Sequence, residues 1–117
     1  MTERNAPSVA WLMREGEVLA TAEVPPGRGG RARGLLGRAD FEGAMVLRPC
    51  RQVHTVGMKF PLDVASCDRS GLVLRTDVVP PWRVTRVVWR SHLVIEAPAG
   101  AFERWGLRPG DQVELKE

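Results

Sequence analysis

Lys-Phe-Pro-Leu-Asp-Val-Ala-Ser-Cys at positions 59 to 67, Asp-Arg-Ser-Gly at 68 to 71 and Leu-Val-Leu-Arg-Thr-Asp-Val-Val at 72 to 79 read together as one antiparallel hairpin. In the first arm Phe60, Leu62 and Val64 alternate with Pro61, Asp63 and Ala65, the two-residue period of a strand. Asp68 to Gly71 has the composition of a tight turn, so the second arm returns beside the first. Strands are therefore predicted over 60–67 and 72–79.

The same punctuation recurs in both directions. Val9–Met13 and Val18–Val24 flank Arg-Glu-Gly-Glu and form a second hairpin with Gly16 in its turn, which Pro25, Pro26 and Gly27 end. Ala32, Leu35 and Leu36 give a short amphipathic helix over 31–37, and Ala44–Leu47 a strand. Pro80, Pro81 and Trp82 open a loop that runs to Arg90 and holds a strand candidate at Val84–Trp89. His92–Ala97 is a strand, 101–105 a short helix stopped by Gly106, and 111–115 a terminal strand entered through the Pro109–Gly110 turn. Many short strands and few helical turns make an all-β domain, jelly-roll or barrel-like with one or two short helices. It spans 9–117 behind a disordered lead over 1–8.

The chain has 117 residues, 44% hydrophobic and 26% charged, ordinary values for a folded domain able to bury one core. The formal net charge is +3, and Lys59 and Lys116 are the only lysines among 17 basic residues. So small a positive balance is a weak nucleic-acid signal. No run reaches the roughly 18 apolar residues of a spanning helix, and the N-terminus lacks an export pattern, so no membrane association and a cytoplasmic location are expected. In that reducing setting Cys50 and Cys67 are expected as free thiols.

Chemistry-bearing residues gather between 49 and 63, Pro-Cys-Arg-Gln-Val-His-Thr-Val-Gly-Met-Lys-Phe-Pro-Leu-Asp. Gly57 and Pro61 exclude a long helix, so these groups sit on irregular backbone entering a strand, a common setting for binding chemistry. His54 can act as acid, base or ligand near neutral pH, or serve as a hydrogen-bonded structural group. Cys50, four residues earlier, is either a thiol turned toward that imidazole or a small buried apolar residue. Asp63 and Glu96 lie on strands; if their faces coincide, they and His54 share one pocket. Otherwise Asp63 caps amides or pairs with an arginine. Thr55 and Met58 complete the set.

Arg-Ala-Arg-Gly-Leu-Leu at 31–36, Val-His-Thr-Val-Gly-Met-Lys-Phe-Pro-Leu-Asp-Val at 53–64, Val-Ile-Glu-Ala-Pro-Ala-Gly at 94–100 and Gly-Leu-Arg-Pro-Gly-Asp-Gln-Val at 106–113 resemble, in order and spacing, the domain of unknown function 192 family of bacteria and archaea. The resemblance spans nearly the whole chain. It implies a compact all-β domain, jelly-roll or barrel-like, with one or two short helices, and brings no established activity. Many members carry an export signal or lipid anchor, and their loop before the Glu-x-Pro-Ala-Gly block is often rich in proline and cysteine. Here that loop, Pro80–Arg90, has tryptophan and arginine but no cysteine, so a role tied to it does not carry over.

The leading functional expectation is a non-enzymatic module that binds a small polar ligand or a partner in a cleft lined by His54, Thr55, Met58, Asp63 and Glu96, with Cys50 nearby. The alternative is a hydrolase or carbohydrate-active enzyme with His54 as general base, Asp63 orienting it and Cys50 as nucleophile. Weak nucleic-acid binding through Trp82, Trp89, Arg83, Arg86 and Arg90 is the third reading, and nucleic acid is not the expected partner. No cofactor and no metal are expected, because paired-cysteine and His-x-x-His spacings are missing. No phosphate loop, nucleophile elbow or dinucleotide fingerprint occurs either.

Overall fold

Short β-prone runs separated by glycine and proline produce the elements of the computed structural model, which describes residues 8–25 and 43–117. In chain order these are β1 (Ser8–Arg14), β2 (Glu17–Val24), β3 (Ala44–Leu47), β4 (Leu62–Cys67), β5 (Val73–Val79), β6 (Leu93–Pro98), the helix α1 (Ala101–Trp105) and β7 (Val113–Lys116). The helix expected over 31–37 lies outside the described residues, as does the lead expected over 1–8 apart from Ser8. Glu15 and Gly16, both left-handed with φ of 52° and 80°, make the two-residue turn between β1 and β2. The hairpin read at 59–79 is β4 against β5. Its first arm starts at Leu62 because Pro61 has no N–H to give a ladder.

The strands form one sheet in the order β5-β4-β6-β3-β2-β1-β7, curled into a half-barrel, so the barrel-like form is the one adopted. Every described pairing is antiparallel except β2 with β3. Among the described residues the two edges meet at one end only. There Val113 N–H donates to the Gly71 carbonyl (2.9 Å), Val73 N–H to Asp111 (2.8 Å) and Gly110 N–H to Val73 (2.8 Å), beside an isolated Leu72–Gln112 bridge.

Alternation along the strands fills two cores. Leu12, Val46, Ala65, Cys67, Ile95 and Phe102 pack on the concave face, beneath α1. Met45, Leu47, Leu62, Val64 and Val94 pack on the opposite face against Cys50, Val53 and Met58 of the loop preceding β4. All six residues of β4 are consequently buried. Two buried carboxylates result, on opposite faces. Asp63 follows Ala65 and Cys67 onto the concave face, where one Oδ accepts the Gly100 and Phe102 amides at 2.9 and 3.0 Å and so anchors the start of α1. Arg14 secures the other end, donating to the Trp105 and Gly106 carbonyls at 2.8 and 2.9 Å.

The sheet separates the two thiols: Cys50 belongs to one core and Cys67 to the other, both free and buried. Burial, with a smaller contribution from the Asp68 charge, pushes the Cys67 thiol up to about 12 from its ordinary 9.0. Between those values the unfolded chain ionises while the native thiol stays protonated, so stability present below pH 9 is lost as pH rises toward 12. The stability difference between wild type and Cys67→Ala is expected to shrink by about 2 kcal/mol between pH 8 and pH 10.5, at ~1.4 kcal/mol per unit. Denaturant titrations at the two pH values measure it; a constant difference would contradict it.

Candidate functional site

Two irregular passages, residues 48–60 and 80–92, cross the outer core and hold each other. Cys50 N–H donates to the His92 carbonyl (3.0 Å), Val88 N–H to Arg51 (2.9 Å), Thr85 N–H to Val53 (2.9 Å) and Thr55 N–H to Arg83 (2.8 Å). The bonds place His54 opposite Val84 in an antiparallel bridge. The strand expected at 84–89 is reduced to that bridge, because the register slips by one residue between Thr85 and Val88. The result is a strap across the outer face, with the 49–63 chemistry on one of its passages.

Thr55 is the strap's fastener. Fully buried, its hydroxyl donates to the Pro80 carbonyl (2.6 Å) and accepts the Arg83 amide (2.9 Å), while its carbonyl accepts the Trp82 and Met58 amides at 2.9 and 3.0 Å. These bonds hold Trp82 at φ 63°, a left-handed conformation that costs a bulky residue roughly 1–2 kcal/mol. Its side chain is 63% exposed, so little packing offsets the strain. Trp82→Asn, which tolerates that backbone, is expected to leave stability unchanged or raise it by up to about 1 kcal/mol. A loss above ~1 kcal/mol in urea denaturation would mean that the ring carries packing instead.

His54 is exposed, and its Nδ1 accepts the Val56 amide at 3.2 Å. That bond selects the tautomer with the proton on Nε2. Beside the imidazole opens a hollow of about 320 Å³ lined by Gln52, Val53, His54, Val56 and Val84. Cys50 turns its buried Sγ toward the Gln52 carbonyl at 3.3 Å, inside the outer core. Met58 is buried in that core. Glu96 is buried on the same sheet face, level with Met45 and Val64.

The expected convergence of His54, Asp63 and Glu96 is therefore corrected. Asp63 faces the concave side and lines a different hollow, of about 240 Å³, with Thr76, Asp77, Gly100, Phe102 and Glu103. Cross-strand register decides this: Asp63 stands opposite Ala97, whereas Glu96 stands opposite Val64. His54 thus lacks an orienting carboxylate in Asp63, and the thiol of Cys50 is spent on a backbone carbonyl.

The sequence reading missed Val56 and Val84, and it named Trp82 and Trp89 only for weak nucleic-acid binding. Val56, Val84, Trp82 and Trp89 are 42%, 62%, 63% and 75% exposed. Val84–Trp89, Val-Thr-Arg-Val-Val-Trp, shows no strict alternation, so its sequence does not say which residues face outward, and the register slip decides it.

Two solved structures share the architecture. A protein of unknown function from Novosphingobium aromaticivorans DSM 12444 aligns over 97% of both chains at 18% identity and a TM-score of 0.73. One from Sinorhizobium meliloti 1021, described as a proposed transcription regulator, aligns over 95% of both at 20% identity and a TM-score of 0.76. Identities this low speak for the fold alone. No curated protein matches the chain. The model of the DUF192 family, described as Uncharacterized ACR, matches residues 10–115, nearly the full length, and the chain belongs to that family.

Proposed function

We propose that this chain is a non-enzymatic binding module whose site is the hollow beside His54. The observation that carries the reading is the hollow itself: concave, largely aliphatic, with one imidazole N–H and one carboxamide at its wall, the usual make-up of a small binding pocket. Its frame is firmly held, since five backbone bonds and the buried Thr55 hydroxyl fix the strap. Catalysis finds less support. The Nε2–H of His54 is a hydrogen-bond donor in the tautomer that Val56 selects, and a general base needs an unprotonated nitrogen at the reacting proton. Of the six residues predicted from sequence only His54 lines the hollow; Thr55, Met58 and Cys50 build the wall's support, and Asp63 and Glu96 serve the sheet.

The expected occupant has an apolar body and one acceptor for Nε2–H, a correction of "small polar ligand" toward amphipathic. The test is a nuclear magnetic resonance titration of the whole chain with small aliphatic and aromatic carboxylates and amides. Perturbation of the His54 ring, Val56 and Val84 by the same compounds, lost in Val84→Trp, supports the site. Perturbation confined to the Thr76–Glu103 hollow, or none at millimolar ligand, overturns it.

A further inference from the structure

Val84 separates two hollows. On one side is the apolar pocket of His54, and on the other a groove of about 250 Å³ lined in part by Arg75, Asp77, Val79, Arg83 and Arg86. In that groove Arg75 and Asp77 satisfy each other through a bidentate pair at 2.7 and 3.0 Å. Arg83 and Arg86 have no carboxylate partner among the described residues. The groove therefore keeps two unneutralised guanidinium groups, the fork-shaped donors that hold carboxylates best.

The ridge is also a backbone site. His54 and Val84 form a bridge of the type in which the flanking residues exchange the hydrogen bonds, Thr55 N–H to Arg83 and Thr85 N–H to Val53. The amide and carbonyl of Val84 itself then point out of the strap, and among the described residues neither has a partner. An extended chain beside Val84 can use both groups, the main-chain recognition of strand addition.

From these three features we infer that the strap receives an extended acidic protein segment, with an apolar side chain in the His54 hollow and a carboxylate, within two or three residues of it, on Arg83 and Arg86. The inference rests on the proposed site and names its partner. Alternate residues of an extended chain are roughly 6.6–7 Å apart, a spacing suited to two hollows that share one valine. The strained, exposed Trp82 adjoins Arg83, where a large ring can cover the seated segment; strain kept at an exposed residue is a mark of such sites. A nucleic-acid strand fits less well. It needs a longer track of phosphate contacts than the two unneutralised guanidinium groups of this groove provide.

The experiment is selection of displayed random peptides, each of about a dozen residues, on the intact chain and on an Arg83→Ala/Arg86→Ala variant. Enriched peptides are then synthesised and measured by fluorescence anisotropy. Enrichment of Asp or Glu near an aliphatic or aromatic residue is expected on wild type only. Affinity should fall at least about tenfold in the double variant and in Val84→Glu, and stay unchanged in Arg108→Ala, with amide spectra showing each variant folded. Three results would overturn the inference: enriched peptides without acid, affinity indifferent to Arg83 and Arg86, or preferential binding of a thymidine oligonucleotide with a steep salt dependence. If no peptide binds while small compounds still perturb His54, the partner is wrong and the site stands. If neither does, both fail.

Discussion

Gly71→Ala is expected to destabilise the protein by about 3 kcal/mol or more, lowering the melting temperature by roughly 10–20 °C. Gly71 has φ +94°, and an added Cβ would run into the carbonyl oxygen of Val113. Two costs combine. The left-handed backbone disfavours any L side chain by ~1–2 kcal/mol, and the collision forces apart the only place where the two edges of the sheet meet among the described residues. Relief would break the 2.9 Å bond from Val113 N–H to Gly71 and disturb the bonds linking Val73 to Asp111 and Gly110. Gly16→Ala is the matched control, because Gly16 also has positive φ (+80°) but nothing within 4 Å of its missing Cβ. Its cost should be near ~1 kcal/mol. Equal melting temperatures for the two variants would show that the β5–β7 closure contributes nothing.

The second large effect is at Thr55. Thr55→Val keeps the shape and removes the hydroxyl, leaving the Pro80 carbonyl and the Arg83 amide without their buried partner. At ~1–2 kcal/mol for each orphaned, part-buried group, a loss of about 3 kcal/mol is expected. Thr55→Ser, which restores the oxygen and lacks one methyl, should lose only about 1 kcal/mol. Urea denaturation gives the stabilities, and hydrogen exchange at the Trp82 and Arg83 amides locates the change. Should Thr55→Val match Thr55→Ser, the strap is held by its backbone ladder alone. A wild-type exchange pattern in Thr55→Val would carry the same message.

Strand identity and the hairpins were legible in the sequence because both signals are local. The two-residue alternation at 60–67 and the Asp-Arg-Ser-Gly turn lie within one hairpin, and apart from the 84–89 candidate each strand expected in the described residues appears within about two residues of its predicted ends. Helix α1 is likewise marked by its neighbours, Gly100 and Gly106, both left-handed. The family blocks at 53–64, 94–100 and 106–113 also point to structure. In the fold they supply the strap with its Thr55 fastener, the β6 passage into α1 and the turn that closes the sheet.

The site was legible only in part. Alternation told correctly that Asp63 and Glu96 each oppose their sequence neighbours, but which faces coincide depends on the pairing of β4 with β6. A one-residue difference in register reverses that answer. The Asp63–Ala97 and Val64–Glu96 pairs send the two carboxylates to opposite sides. Thr55 looked like a binding hydroxyl because its type says nothing of what it touches, and its partners at Pro80 and Arg83 are 25 and 28 residues away. The sequence by itself determined the strands, the turns and the loop that holds His54, since each follows from residues within a few positions of one another. Only the tertiary structure decided that Val84, with Arg83 and Arg86 near it in the chain, stands beside His54. That neighbourhood arises from long-range pairing, in which interaction energies between distant segments outweigh local preference.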